Sequence, residues 1–147
     1  MKKILLAVII CSVMYSYADE IEFTEKIYEK PVVNFSDGVE MFCYMFGIPV
    51  NNSFDKNMEN LSKQVKYMPK KYSAEKPFTV GDFSLFAMQY LDIKSGLFYL
   101  ASHSGRYAAR ELMLRNIIPF NTSEYEKISG QELIALVQKV VEYEESK

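Results

Sequence analysis

An internal match at an offset of 50 residues constrains this chain more than any other feature of its sequence. Pro69 and Pro119 correspond, as do Phe78 and Ile128, Thr79 and Ser129, and Asp82 and Glu132. Behind them Phe83, Phe86, Ala87, Tyr90 and Leu91 align with Leu133, Leu136, Val137, Val140 and Val141. A hydroxyl residue three positions before a carboxylate is a capping box, in which each side chain satisfies a free N–H at a helix start. The apolar residues behind each box recur at helical spacing. A chance register between two amphipathic helices would align the apolar face, but not the prolines and the caps with it. The shared unit is therefore a helix, a proline-led loop, a capping box and a second helix. Periods of this size mean stacked helical units that share one core.

Ser36 reads as the N-cap of a further helix carrying Val39, Phe42, Cys43 and Phe46, stopped by Gly47 and Pro49. It resembles a third copy of the unit's second helix. Met58, Leu61, Val65 and Met68 form a looser stripe before Pro69, and a helix with Ala108, Ala109, Leu112 and Met113 follows Gly105. The expectation is an all-α fold of about five helices in stacked helix–loop–helix units. Those units cover approximately residues 56–92 and 106–143 of a single domain at 35–147. Residues 19–34 are strongly charged, and Ile21 and Phe23 alternate with Glu20, Glu22 and Thr24. They read as a charged arm or a short edge strand that Pro31 ends.

This plan resembles the S-layer homology domain, a helical module of bacterial cell envelopes. The stretches that carry the likeness are Phe78-Thr79-Val80-Gly81-Asp82-Phe83 and Ile128-Ser129-Gly130-Gln131-Glu132-Leu133. The family's capped turn carries an arginine that helps hold an anionic cell-wall glycan. Val80 and Gly130 stand in that place, and the chain has no Trp to serve as a sugar platform. The resemblance thus implies the family's architecture without its glycan contact.

The N-terminus predicts export. Lys2 and Lys3 precede an unbroken apolar run from Ile4 to Ile10, and Ser16-Tyr17-Ala18 offers small residues at the two positions a signal peptidase reads. A signal peptide over residues 1–18 places the mature protein in the periplasm or at the cell surface. The apolar run is well short of the roughly 20 residues that span a bilayer. Acylation of Cys11 is the minor alternative, because Ile10 occupies the site where lipoprotein signals carry a small residue. The leader holds two of the 17 basic residues and none of the 19 acidic ones, so its removal takes the net charge from −2 to −4. That balance argues against a nucleic-acid partner. Cys43 is then the one remaining cysteine, with no partner for an internal disulfide, and its apolar setting predicts a buried thiol.

No residue pattern predicts a catalytic site, a metal site or a cofactor. His103 lies in Ser102-His103-Ser104-Gly105, but adjacent residues do not make a nucleophile–base–orienter array, and an exposed loop histidine is expected. One histidine and one buried cysteine make no metal cluster, and there is no glycine-rich phosphate loop. Asn34, Asn51, Asn60 and Asn121 begin Asn-x-Ser/Thr sequons, read here as polar loop positions. Arg106 and Arg110 are one turn apart near a helix N-terminus, where the backbone dipole disfavours positive charge. Glu111 or neighbouring capping carboxylates are the expected internal partners, and an anionic ligand is the alternative. Lys70, Lys71 and Tyr72, with Lys66 and Tyr67, form a basic aromatic loop, expected to be solvated and otherwise suited to an anionic polymer. The expected function is a non-enzymatic envelope domain acting on a protein partner, with a cell-wall polymer as the alternative ligand.

Overall fold

The computed structural model describes residues 18–94 and 96–147. The leader reading and the Cys11 alternative lie outside these residues, apart from Ala18. The described chain forms seven helices and no strands: α1 (residues 18–28), α2 (Phe35–Met45), α3 (Phe54–Leu61), α4 (Val80–Tyr90), α5 (Leu97–Ser102), α6 (Gly105–Leu114) and α7 (Gly130–Glu145). None of them is long and apolar enough to cross a membrane.

Helices α2, α4 and α7 each open on a capping box. The side chains of Asn34, Thr79 and Ser129 accept from the backbone N–H of Asp37, Asp82 and Glu132, whose carboxylates accept in return from the cap N–H. The residue just before each cap is buried: Val33, Phe78 and Ile128. These three backbones close a ring. Phe78 N–H donates to Val33 C=O (2.9 Å), Ile128 N–H to Phe78 C=O (3.1 Å), and Val33 N–H to Ile128 C=O (2.9 Å). One step inward, the first helical N–H of each helix finds a neighbour's carbonyl: Phe35 to Lys76, Val80 to Glu126, and Gly130 to Lys30. A helix start leaves such donors without intrahelical partners, and burial without partners would be costly.

The ring leaves little room. A Cβ at Gly130 would lie 1.7 Å from the carbonyl oxygen of Ile27, so only glycine fits there. Similarly, α6 begins against α4, where a Cβ at Gly105 would meet the carbonyl oxygen of Gly81 at 2.6 Å. Around the ring lies the core. Phe35, Phe42, Phe78, Phe83 and Phe86 are fully buried, with ring centroids 5.2 Å (Phe42–Phe86) to 5.7 Å (Phe35–Phe78) apart in the tightest contacts. Cys43 is buried, and burial pushes its thiol up to about 11.

Four sequence expectations are corrected. First, residues 18–28 are helical, so the charged arm or edge strand is α1. Phe23 and Ile27, four apart, are buried while Ile21 is 60% exposed; the i, i+4 pair outweighs the alternation. Second, Asn34 rather than Ser36 caps α2. Ser36 is followed three residues later by Val39, which cannot return a bond, whereas Asn34 has Asp37. Third, α3 stops at Leu61 and does not continue to Met68. The Gln89 side chain accepts from Lys66 and Tyr67 N–H (both 2.8 Å) and donates to Tyr67 C=O (2.8 Å), replacing the bonds of another helical turn. Fourth, α1 and α5 raise the helix count from about five to seven. Leu97-Phe98-Tyr99-Leu100 is apolar on all sides, so α5 has no amphipathic stripe to announce it.

The caps yield a stability test. Asn34→Ala, Thr79→Ala and Ser129→Ala should each lower unfolding free energy by ~1 kcal/mol, while Ser36→Ala should change it by only a few tenths. Urea midpoints of the four variants measure this directly. Equal losses for Ser36→Ala and Asn34→Ala would contradict the cap assignment.

Candidate functional site

The basic residues singled out by sequence fall into two groups that no hydrogen bond, ion pair or ring contact joins among the described residues. Lys70 and Lys71 are exposed in the loop before α4. Tyr72 is not a free ring: it stacks on Phe35 with centroids 5.5 Å apart and planes 12° from parallel. Its neighbour Lys76 donates to Asp82 (3.0 Å) and lies 5.5 Å from the Phe35 ring centroid.

On α6, Arg106 approaches Glu124 at 3.9 Å and remains 58% exposed. Arg110 has no carboxylate within ion-pair distance among the described residues, and its guanidinium lies 5.7 Å from the Tyr107 ring. Glu111, an expected partner of these arginines, pairs instead with Arg115 at 2.8 Å, one turn further along. The reason is geometric: a glutamate followed four residues later by arginine is the favourable orientation on a helix. Tyr107 in turn stacks on Phe98 of α5 at 5.4 Å. Leu97 (85%), Phe98 (69%) and Leu114 (67%) are exposed, giving α5 and α6 an apolar outer surface beside two arginines. Sequence reasoning missed this surface because α5 was not recognised. Its one signal was the apolar Leu97–Leu100 run.

His103 is half-buried rather than exposed. It ends α5 with φ +46° and stacks on Tyr67 at 3.6 Å, with Tyr99 edge-on at 5.6 Å. Ser102 Oγ donates to the Phe98 carbonyl (2.8 Å), so it is engaged in its own helix and not with the imidazole. Tyr67, Tyr99 and His103, with Gln89, line a cleft of about 520 Å³. Burial, and then the Tyr67 phenol, push the Tyr99 hydroxyl up to about 12, so it stays a neutral donor at physiological pH. A second groove, of about 370 Å³, lies beside α7 over Val80, Ile118, Ile128 and Leu136, with Glu126 and Glu132 at its edge. Among the described residues, no group of three His, Cys, Asp or Glu side chains is placed to hold a metal.

No family model, curated protein or solved structure matches the chain.

Glu132 gives the site a pH signature. Backbone and side-chain hydrogen bonds from Ser129 hold its carboxyl below the usual carboxylate range, outweighing the effect of burial. A depressed acid contributes stability that is present above its unfolded pKa and is lost as pH falls through the folded value. Wild-type melting temperature should therefore fall below about pH 4.5, and Glu132→Gln should show a shallower fall over that window. Melting curves from pH 3 to 7 would check this. Parallel acid limbs would show that the bonds do not depend on charge.

Proposed function

We propose that this chain is an exported, non-enzymatic interaction domain of the bacterial cell envelope. In this reading it is built as three lobes on a plan similar to the S-layer homology domain and acts through protein contacts in the periplasm or at the cell surface. The observation that carries the contact function is the outer surface of α5 and α6. There Leu97, Phe98 and Leu114 are largely exposed next to Arg106 and Arg110. Exposed apolar surface of this kind favours a partner, and aromatic residues are enriched at such interfaces. The closed ring through Val33, Phe78 and Ile128 supports the three-lobed plan, because each capped helix start plays the same part in it. The charged start, apolar run and Ser16-Tyr17-Ala18 support export.

A second reading has one observation in its favour. Among the described residues Arg110 has no carboxylate partner and Arg106 has a distant one, so both can meet an anionic cell-wall polymer. Cosedimentation with isolated envelopes separates the two. A protein contact predicts that Leu97→Ser with Phe98→Ser abolishes sedimentation while Arg106→Gln with Arg110→Gln largely preserves it. A polymer anchor predicts the reverse, with sedimentation falling as salt rises. All variants should keep the wild-type melting temperature within a few degrees, since the altered side chains are exposed. If both double variants sediment like wild type, this surface is not the contact.

A further inference from the structure

The three-lobed reading makes two grooves comparable, and their difference identifies what one of them lacks. Thr122, Glu126, Glu132 and Ala135 line the α7 groove, and the residues 50 positions earlier, beside α4, are Tyr72, Lys76, Asp82 and Leu85. Phe35, the first residue of α2, packs on Tyr72 beside α4, and Val80, the first residue of α4, lines the α7 groove. Beside α4 the space is filled by the chain itself. The Tyr72 ring stacks on Phe35, and the Lys76 ammonium lies against that ring and bonds the Asp82 carboxylate. Beside α7 the residues in the places of Phe35, Tyr72, Leu85 and Lys76 are smaller or reversed in charge. Val80 and Thr122 replace two rings, Ala135 replaces a leucine, and Glu126 replaces the lysine. What remains is the groove of about 370 Å³.

From this we infer that the α7 groove receives a segment of a partner protein that presents an aromatic ring and a lysine or arginine. Those are the two groups that fill the corresponding space beside α4. Glu126 and Glu132 have no cation within ion-pair distance among the described residues, although Lys127 and Lys139 also line the groove. An arriving ammonium would take the place that Lys76 holds against Asp82. An arriving ring would cover Pro119 and Ala135, the exposed apolar residues that line the groove above the buried Val80, Ile128 and Leu136. The groove differs from the α5–α6 surface, so the two contacts are separable by mutation.

The test uses the full mature chain and short blocked peptides, followed by amide chemical shifts. An acetylated, amidated Tyr-Lys dipeptide should shift the amides of Thr122, Glu126, Ile128 and Leu136 saturably. The Tyr-Glu and Ala-Lys dipeptides should bind at least about tenfold more weakly, the scale of one lost charge-assisted or ring contact. Thr122→Tyr with Glu126→Lys copies the α4 arrangement into the groove. It should raise the melting temperature and abolish dipeptide binding. If that variant is stabilised but the wild type binds none of the dipeptides, the lobes correspond and the ligand inference is wrong. If the variant is destabilised while wild-type binding follows the stated order, the groove is a site and the three-lobed correspondence fails. Preference for Tyr-Glu, or binding of free tyramine without the dipeptide, would overturn the partner chemistry.

Discussion

Three helix N-termini meeting in a protein interior pose an electrostatic and hydrogen-bonding problem, and the Val33–Phe78–Ile128 ring is its solution. Each of these residues donates to one neighbour and accepts from the other. No pair is complete without the third. A net hydrogen bond contributes only about 1 kcal/mol, but a buried donor or acceptor left without a partner costs roughly 1–3 kcal/mol. Displacing one segment therefore leaves the other two with a donor and an acceptor unmatched, together with the first helical N–H groups of the adjoining helices. The ring couples parts of the chain nearly 100 residues apart, and Cys43, buried and reduced, adds no covalent tie.

The same meeting brings together the positive ends of three helix dipoles. Each carries about half an elementary charge, and their mutual repulsion needs an answer near the first turn. Asp37, Asp82 and Glu132 supply it, one to each helix, at the position where a carboxylate also closes the capping box. Asp37 and Asp82 are themselves buried and are balanced by Lys30 at 2.7 Å and Lys76 at 3.0 Å. Glu132 stands exposed and relies on Ser129 alone. The difference follows from reach. A glutamate's extra methylene lets its carboxylate close the box from the surface, whereas the shorter aspartates sit inside it and need a cation.

Two of the three ring positions were readable in the sequence because Thr79–Asp82 and Ser129–Glu132 share both chemistry and an exact offset. The third was obscured. Asn34–Asp37 is 45 residues before Thr79 rather than 50, and Ser36 offered a competing cap two residues later. Helix α1 was hidden because alternation at Ile21 and Phe23 mimics a strand over so short a span, and α3 was overextended because Gln89 replaces its next turn from a distant helix. In the last case a side chain far away in sequence satisfies backbone groups that local pattern assigns to the helix. For the candidate site, Arg106 and Arg110 could be placed on one helix, but neither Glu124 nor the Phe98–Tyr107 stack is implied by spacing. Those contacts depend on where α5 and the 119–127 loop are held.

A closed ring constrains backbones more than side chains, and this explains where the chain has room to differ between its parts. Val33, Phe78 and Ile128 must point inward and stay apolar, and Gly130 must remain without a Cβ. Beyond the first turn, each helix answers only to its local neighbours. Beside α4 those neighbours are rings and a lysine that seal the surface, while beside α7 they are smaller, mixed in charge and leave a groove. Helices α5 and α6 extend the same principle, presenting apolar and cationic residues where the ring makes no demand. A scaffold fixed at its centre and unlike on its faces can acquire a contact on one face without disturbing the bonds that hold it together. The proposed contacts accordingly lie on α5–α6 and beside α7, away from the three residues on which the fold closes.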